Sequence, residues 1–149
     1  MSSLKTQLDL AIKTAMRAKE REKTTTLRML LNSLQTAEKE QQSPLSGEQG
    51  LTVVTKMIKQ RQDAQQQFAA AERPELAERE AREIQWLHEF LPTQLTQTEL
   101  EQAVQQAVSD TQATSMRDMG KVMAQLKPQI QGRADPTVAS ALVKAQLNA

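Results

Sequence analysis

Apolar residues return three and four positions apart along stretch after stretch of this chain, and capping residues or prolines bracket most stretches. That spacing commits the chain to amphipathic helices packed on one another. Composition removes the main competitor. Only Phe68, Trp86 and Phe90 are aromatic, so a core must be built from Leu, Ile, Val, Met and Ala, the residues of packed helices rather than of sheets. The fold class expected is all-α.

Leu4, Leu8, Ala11, Ile12 and Ala15 mark a first helix that fades at the charged run Lys19–Lys23. Thr24 or Thr25 is the expected cap of the second, whose stripe is Leu27, Leu30, Leu31, Leu34 and Ala37 and which Ser43-Pro44 stops. These two should form a hairpin. Ser46 with Gln49 reads as a capping box for a long third helix burying Val53, Val54, Met57, Ile58, Ala64 and Phe68, to about Ala71. Pro74 opens a fourth, with Leu76, Ala77, Ala81, Ile84 and Leu87 inward, closed by Leu91-Pro92.

Pro92–Leu95 then reads as a hinge, and Thr96 with Glu99 restarts a helix. We therefore expect a four-helix amino-terminal domain or bundle over 1–91 and a small three-helix domain over 92–149. Its helices are Gln97 to about Asp110 (Leu100, Val104, Ala107 and Val108 inside), Met116–Leu126 (Met119, Val122, Met123 and Leu126) and Pro136–Leu147 (Val138, Leu142 and Ala145). Ser115 with Asp118, and Asp135 before Pro136, supply caps. So small a core should be marginal alone.

The formal net charge of +1 hides segregation. Lys13, Arg17, Lys19, Arg21, Lys23 and Arg28 stand against Glu20 and Glu22, while residues 72–89 are acidic. Beyond Thr111 the bases Arg117, Lys121, Lys127, Arg133 and Lys144 face only Asp118 and Asp135. Such segregation can create a basic patch on a near-neutral chain.

Several stretches are distinctive: Arg28-Met29-Leu30-Leu31, Ile58-Lys59-Gln60-Arg61-Gln62-Asp63-Ala64, Glu83-Ile84, Phe90-Leu91-Pro92, Asp118-Met119-Gly120-Lys121-Val122-Met123 and Gly132-Arg133-Ala134-Asp135. On these residues the chain resembles the YqeY family, the stand-alone form of the GatB/YqeY domain, over essentially its whole length. It departs from the family at Ala124, where another glycine is frequent, at Pro136, where glycine is common, and at Gln125 and Gln129. The resemblance implies an all-helical fold of four plus three helices. Similar tails occur on the GatB subunit of the amidotransferase acting on Glu-tRNA(Gln) or Asp-tRNA(Asn), and on some glutaminyl-tRNA synthetases, where the module contacts tRNA away from the chemistry. It thus implies a role in translation, with tRNA, the amidotransferase or an aminoacyl-tRNA synthetase as partners. Carbon–nitrogen ligase activity with glutamine as amido donor attaches by association only.

Gly120 falls inside an expected helix, at about 1 kcal/mol relative to alanine. Close packing of another helix is the more economical compensation; the alternative is a bare surface for an RNA phosphate beside Lys121. Gly132 should take the left-handed conformation after a helix end, and Asp135 should cap the next helix. Arg133 has two readings, phosphate contact or an ion pair with Asp118. The RNA-binding candidates are Arg117, Lys121, Lys127, Arg133 and Lys144, with Arg28 as an extension; shape-based RNA recognition needs distributed bases of this kind. A competing reading makes the chain a protein–protein adaptor anchored by Trp86 and Phe90, one turn apart and exposed.

Enzymatic patterns are missing. His88 is the lone histidine and there is no cysteine; it is expected to be a partly buried or interdomain histidine, and Glu80, Glu83 and His88 do not read as a site. No nucleophile elbow or phosphate-binding glycine loop occurs. No catalytic residue, metal ligand or cofactor is therefore assigned, and with no secretory or membrane-spanning pattern the expectation is a cytoplasmic location.

Overall fold

Four of the α-helices start at a capping side chain, Ser3, Ser46, Thr96 and Asp135 each accepting from a backbone N–H of the first turn. The computed structural model describes residues 3–148 and contains α1 (Leu4–Arg17), α2 (Arg21–Gln41), α3 (Gly47–Ala70), α4 (Pro74–His88), α5 (Gln97–Asp110), α6 (Met119–Ile130) and α7 (Pro136–Leu147). A 3-10 turn at Met116–Asp118 leads into α6, and no strand occurs among the described residues. Two compact units are present, Met1–Leu91 and Pro92–Ala149.

In the first unit Leu8, Ile12, Leu27, Leu30, Leu34, Val54, Ile58, Leu87 and Phe90 form one buried cluster from all four helices. Fully burying each such side chain contributes about 1.5–3 kcal/mol. The α1–α2 connection is tighter than expected. Lys19 adopts φ 60°, Glu20 N–H reaches back to Ala15 O at 2.9 Å, and α2 starts at Arg21. Thr24 and Thr25 are not caps: they lie inside the helix, their hydroxyls donating to Glu20 O and Arg21 O one turn back. The Ser46–Gln49 capping box forms as expected. Pro74 occupies the first turn of α4, where its missing N–H is harmless.

The second unit packs Leu100, Val104, Ala107, Val122, Leu126, Ile130, Ala139, Val143 and Leu147 together, with the Thr96–Glu99 capping box starting α5. Two expectations are corrected. The helix read as Met116–Leu126 begins as a 3-10 turn and runs through Pro128 to Ile130. A proline this near a helix end forfeits one bond, to the carbonyl of solvent-facing Ala124, while helical continuation buries Ile130 at 3% exposure. α7 is also rotated. Ala139, Val143 and Leu147 are inward, whereas Val138 is 41% exposed and Ala145 is exposed. Val138-Ala139 and Leu142-Val143 make both stripes apolar, so spacing alone did not choose between them.

Candidate functional site

The Gly132–Asp135 loop is built from backbone requirements. Gly132 has φ 71°, in the left-handed region where glycine lacks a Cβ penalty. Arg133 and Ala134 N–H both donate to Ile130 O, at 2.8 and 3.1 Å, and the Asp135 carboxylate accepts from Thr137 N–H at 2.8 Å, capping α7. The loop also holds the segment that opens the unit. Leu95 N–H donates to Arg133 O at 2.9 Å, Gln94 Nε2 to Gly132 O at 2.7 Å, and Arg133 Nε to Thr93 O at 3.0 Å. Half-buried Arg133 therefore ties two segments together instead of pairing with Asp118. The Asp118 carboxylate accepts from Thr114 N–H at 2.9 Å and Ser115 N–H at 3.4 Å. The Thr114 bond above all, then the Ser115 bond and the nearby Lys121 charge, hold its carboxyl below the usual range against an opposing burial effect.

Gly120 behaves unlike a packing glycine. An added Cβ at Gly50 would meet Leu4 Cδ2 at 3.0 Å, whereas one at Gly120 would meet nothing within 4 Å. Gly120 is exposed, so the helix-packing explanation is overturned. At 100° per residue, Gly120, Ala124 and Pro128 form a small-residue strip on the exposed side of α6. Lys121 borders it on one side and Lys127 on the other, with Arg117 just ahead in the 3-10 turn; all three bases are exposed. Lys144 is exposed on α7. No ion pair neutralises Arg117, Lys121, Lys127 or Lys144 among the described residues. Arg28, in the first unit, is exposed and donates Nη2 to Met16 Sδ at 3.3 Å.

The first unit holds a charge cluster that spacing did not reveal. Glu80 and Glu83 are only 8% and 4% exposed, on the α4 face shared with Leu87, while Ala81, expected inside, is exposed. Arg61 of α3 compensates them: its Nη1 lies 2.9 Å from Glu83 Oε2 and 3.5 Å from Glu80 Oε2. Burial pushes the Glu83 carboxyl above its usual range; the Arg61 charge opposes that, and Glu80 adds to it. A helical-wheel reading assigns glutamates to solvent, hence the miss. The available signal was Glu80, Glu83 and Leu87 at three- and four-residue spacing, with an arginine on the partner helix.

The adaptor anchor does not stand exposed. Phe90 is 9% exposed and belongs to the core, and Trp86 and His88 are half-buried. Among the described residues no group of three or more His, Cys, Asp or Glu is arranged to hold a metal, and no helix is long and apolar enough to cross a membrane.

A protein of Schizosaccharomyces pombe described as uncharacterized is 36% identical over 78 residues, covering 52% of this chain and 63% of that protein. The family described as Yqey-like protein matches residues 5–147. That match takes in all of the helices from α2 to α7, the buried cluster and the α6 surface, and the chain belongs to this family.

Proposed function

We propose that the chain is a non-catalytic, tRNA-contacting accessory module, similar to the tail of the GatB amidotransferase subunit and linked through that likeness to glutamine-dependent amidation of aminoacyl-tRNA. Its RNA-facing surface is the exposed side of α6. The observation that supports this reading is Gly120: a helical glycine that packing does not require, in open space and bordered by Lys121. Bare backbone flanked by unpaired bases lets a phosphodiester come close while charge is supplied from both sides, the sequence-independent mode by which structured RNA is held. Arg117, Lys127 and Lys144 extend the footprint, whereas Arg133 acts chiefly by fixing the loop at Gly132. With no exposed aromatic to stack on, recognition is of a folded RNA's backbone and not of splayed bases.

Filter binding to tRNA across a salt series tests it. Affinity should fall linearly on a double-logarithmic plot; undetectable or salt-independent binding would sink the reading.

A further inference from the structure

Two surfaces of the first unit are left without partners, and their chemistry is complementary. One is the outer side of α1. At 100° per residue Leu10, Lys13, Thr14 and Arg17 fall within one arc of that helix, and all four are exposed. Leu10 is the most open of the exposed large hydrophobic residues among those described, at 61%. Neither Lys13 nor Arg17 has an ion-pair partner among the described residues. The Thr14 hydroxyl donates to Leu10 O at 2.9 Å, so covering the strip strands no side-chain donor there. The second surface is a shallow groove of about 600 Å³ between the end of α3 and the start of α4. Ala69, Pro74, Ala77 and Ala81 line it with Glu72 and Glu78, and no cation does. Both carboxylates are exposed and make no ion pair among the described residues.

An occupant suited to this groove presents an aliphatic side chain to the alanines and a cation to each carboxylate, whereas a polyanion is repelled. The α1 strip has that chemistry: Leu10 is followed at three and seven positions by Lys13 and Arg17, two positive charges to set against two negative ones. We propose that the chain self-associates, α1 of one copy docking in the α3–α4 groove of another. Leu10 covers the alanines, and Lys13 and Arg17 lie beside Glu72 and Glu78. Complementary charge of this kind fixes register and speeds encounter. The contact is small, so association is weak and reversible, with a Kd on the order of 0.1 mM. Because the two surfaces differ, each copy can both give and receive. The contact involves the first unit alone and stands independently of the RNA reading.

The test is sedimentation equilibrium of the full chain over a range of protein and salt concentrations. The average mass should rise above that of the monomer as protein concentration increases, and added salt should suppress the rise. Lys13→Glu with Arg17→Glu makes both surfaces acidic, and Glu72→Lys with Glu78→Lys makes both basic. Each pair should weaken association at least about tenfold by turning attraction into repulsion. All four changes together exchange the charges of the two surfaces, keep the wild-type net charge and should restore association. Leu10→Ser should weaken it about fivefold with no change of charge. All five positions are exposed, and circular dichroism checks that each variant keeps its helices; Leu10→Ser alone decides the matter if a charge-reversed pair fails to fold. The proposal is overturned by a monomer at every concentration up to about 1 mM, which would leave the groove to a different cationic partner. It is equally overturned by association indifferent to salt, by wild-type association in a folded charge-reversed pair or in Leu10→Ser, or by no recovery in the folded fourfold variant.

Discussion

The two units spend their charges in opposite places. The first draws Glu80, Glu83 and most of Arg61 into its interior, whereas the second keeps a purely aliphatic core and leaves Arg117, Lys121, Lys127 and Lys144 outside and unpaired. A buried ion cluster contributes little net stability but is expensive to break. Exposed bases contribute almost nothing to stability and remain available to a ligand. The contrast therefore separates residues whose substitution should unfold a unit from residues whose substitution should change only what it binds.

Breaking the inner cluster has the largest expected effect. Arg61→Met leaves two buried carboxylates without their cation and should destabilise the first unit by about 4 kcal/mol in urea unfolding. Adding Glu80→Leu and Glu83→Leu should restore most of that; a near-wild-type midpoint for Arg61→Met alone would remove the contrast. Leu126→Ala, in the second unit's core at 0% exposure, should cost about 3 kcal/mol by leaving a cavity. If the two units fold as separate domains, as we propose, each variant should shift one of two resolved unfolding transitions.

Acidity sharpens the comparison more gently. Burial, reinforced by Glu80, raises the Glu83 carboxyl above the ordinary 4.5. Between the unfolded and folded values the folded state binds the extra proton, so this group's stabilising contribution is present below 4.5 and is lost as pH rises through the raised value. Glu99 and Asp118, whose carboxyls are lowered chiefly by backbone hydrogen bonds from Thr96 and Thr114 respectively, act with the opposite sign. Their contribution is lost as pH falls through the lowered values. Glu83→Gln should therefore remove a declining component from the stability–pH curve above 4.5, read by denaturant midpoints across a pH series. The smallest stability effect is at the proposed RNA-facing surface of α6. Gly120→Ala should stabilise the second unit by about 0.5 kcal/mol, since open space receives the methyl and the unfolded chain loses freedom. The same change should weaken tRNA binding, a combination that a purely structural glycine would not give.

Much of the fold was legible because its signals are local. Ser46–Gln49 and Thr96–Glu99 each mark a helix start through hydrogen bonds made within one turn, and Pro74 marks one through its fixed backbone and missing N–H. What escaped depended on long-range compensation. Glu80 and Glu83 are inward only because Arg61, about twenty residues earlier, meets them. α7 chose between two apolar stripes by its partners, and Pro128 was absorbed because Ile130 had a core to enter. The candidate surface was legible residue by residue, yet its arrangement was not. Spacing named Lys121 and Arg133 together, while the fold holds Arg133 to Thr93 and leaves Lys121 beside an open glycine.

The central claim is that the exposed side of α6 is an RNA surface, and the most direct measurement is the salt slope of tRNA binding for the wild type and for the Lys121→Gln, Lys127→Gln variant. The account predicts weaker binding with a slope shallower by about two, one phosphate contact per lysine removed. Equal affinity and equal slope in the two proteins would contradict it.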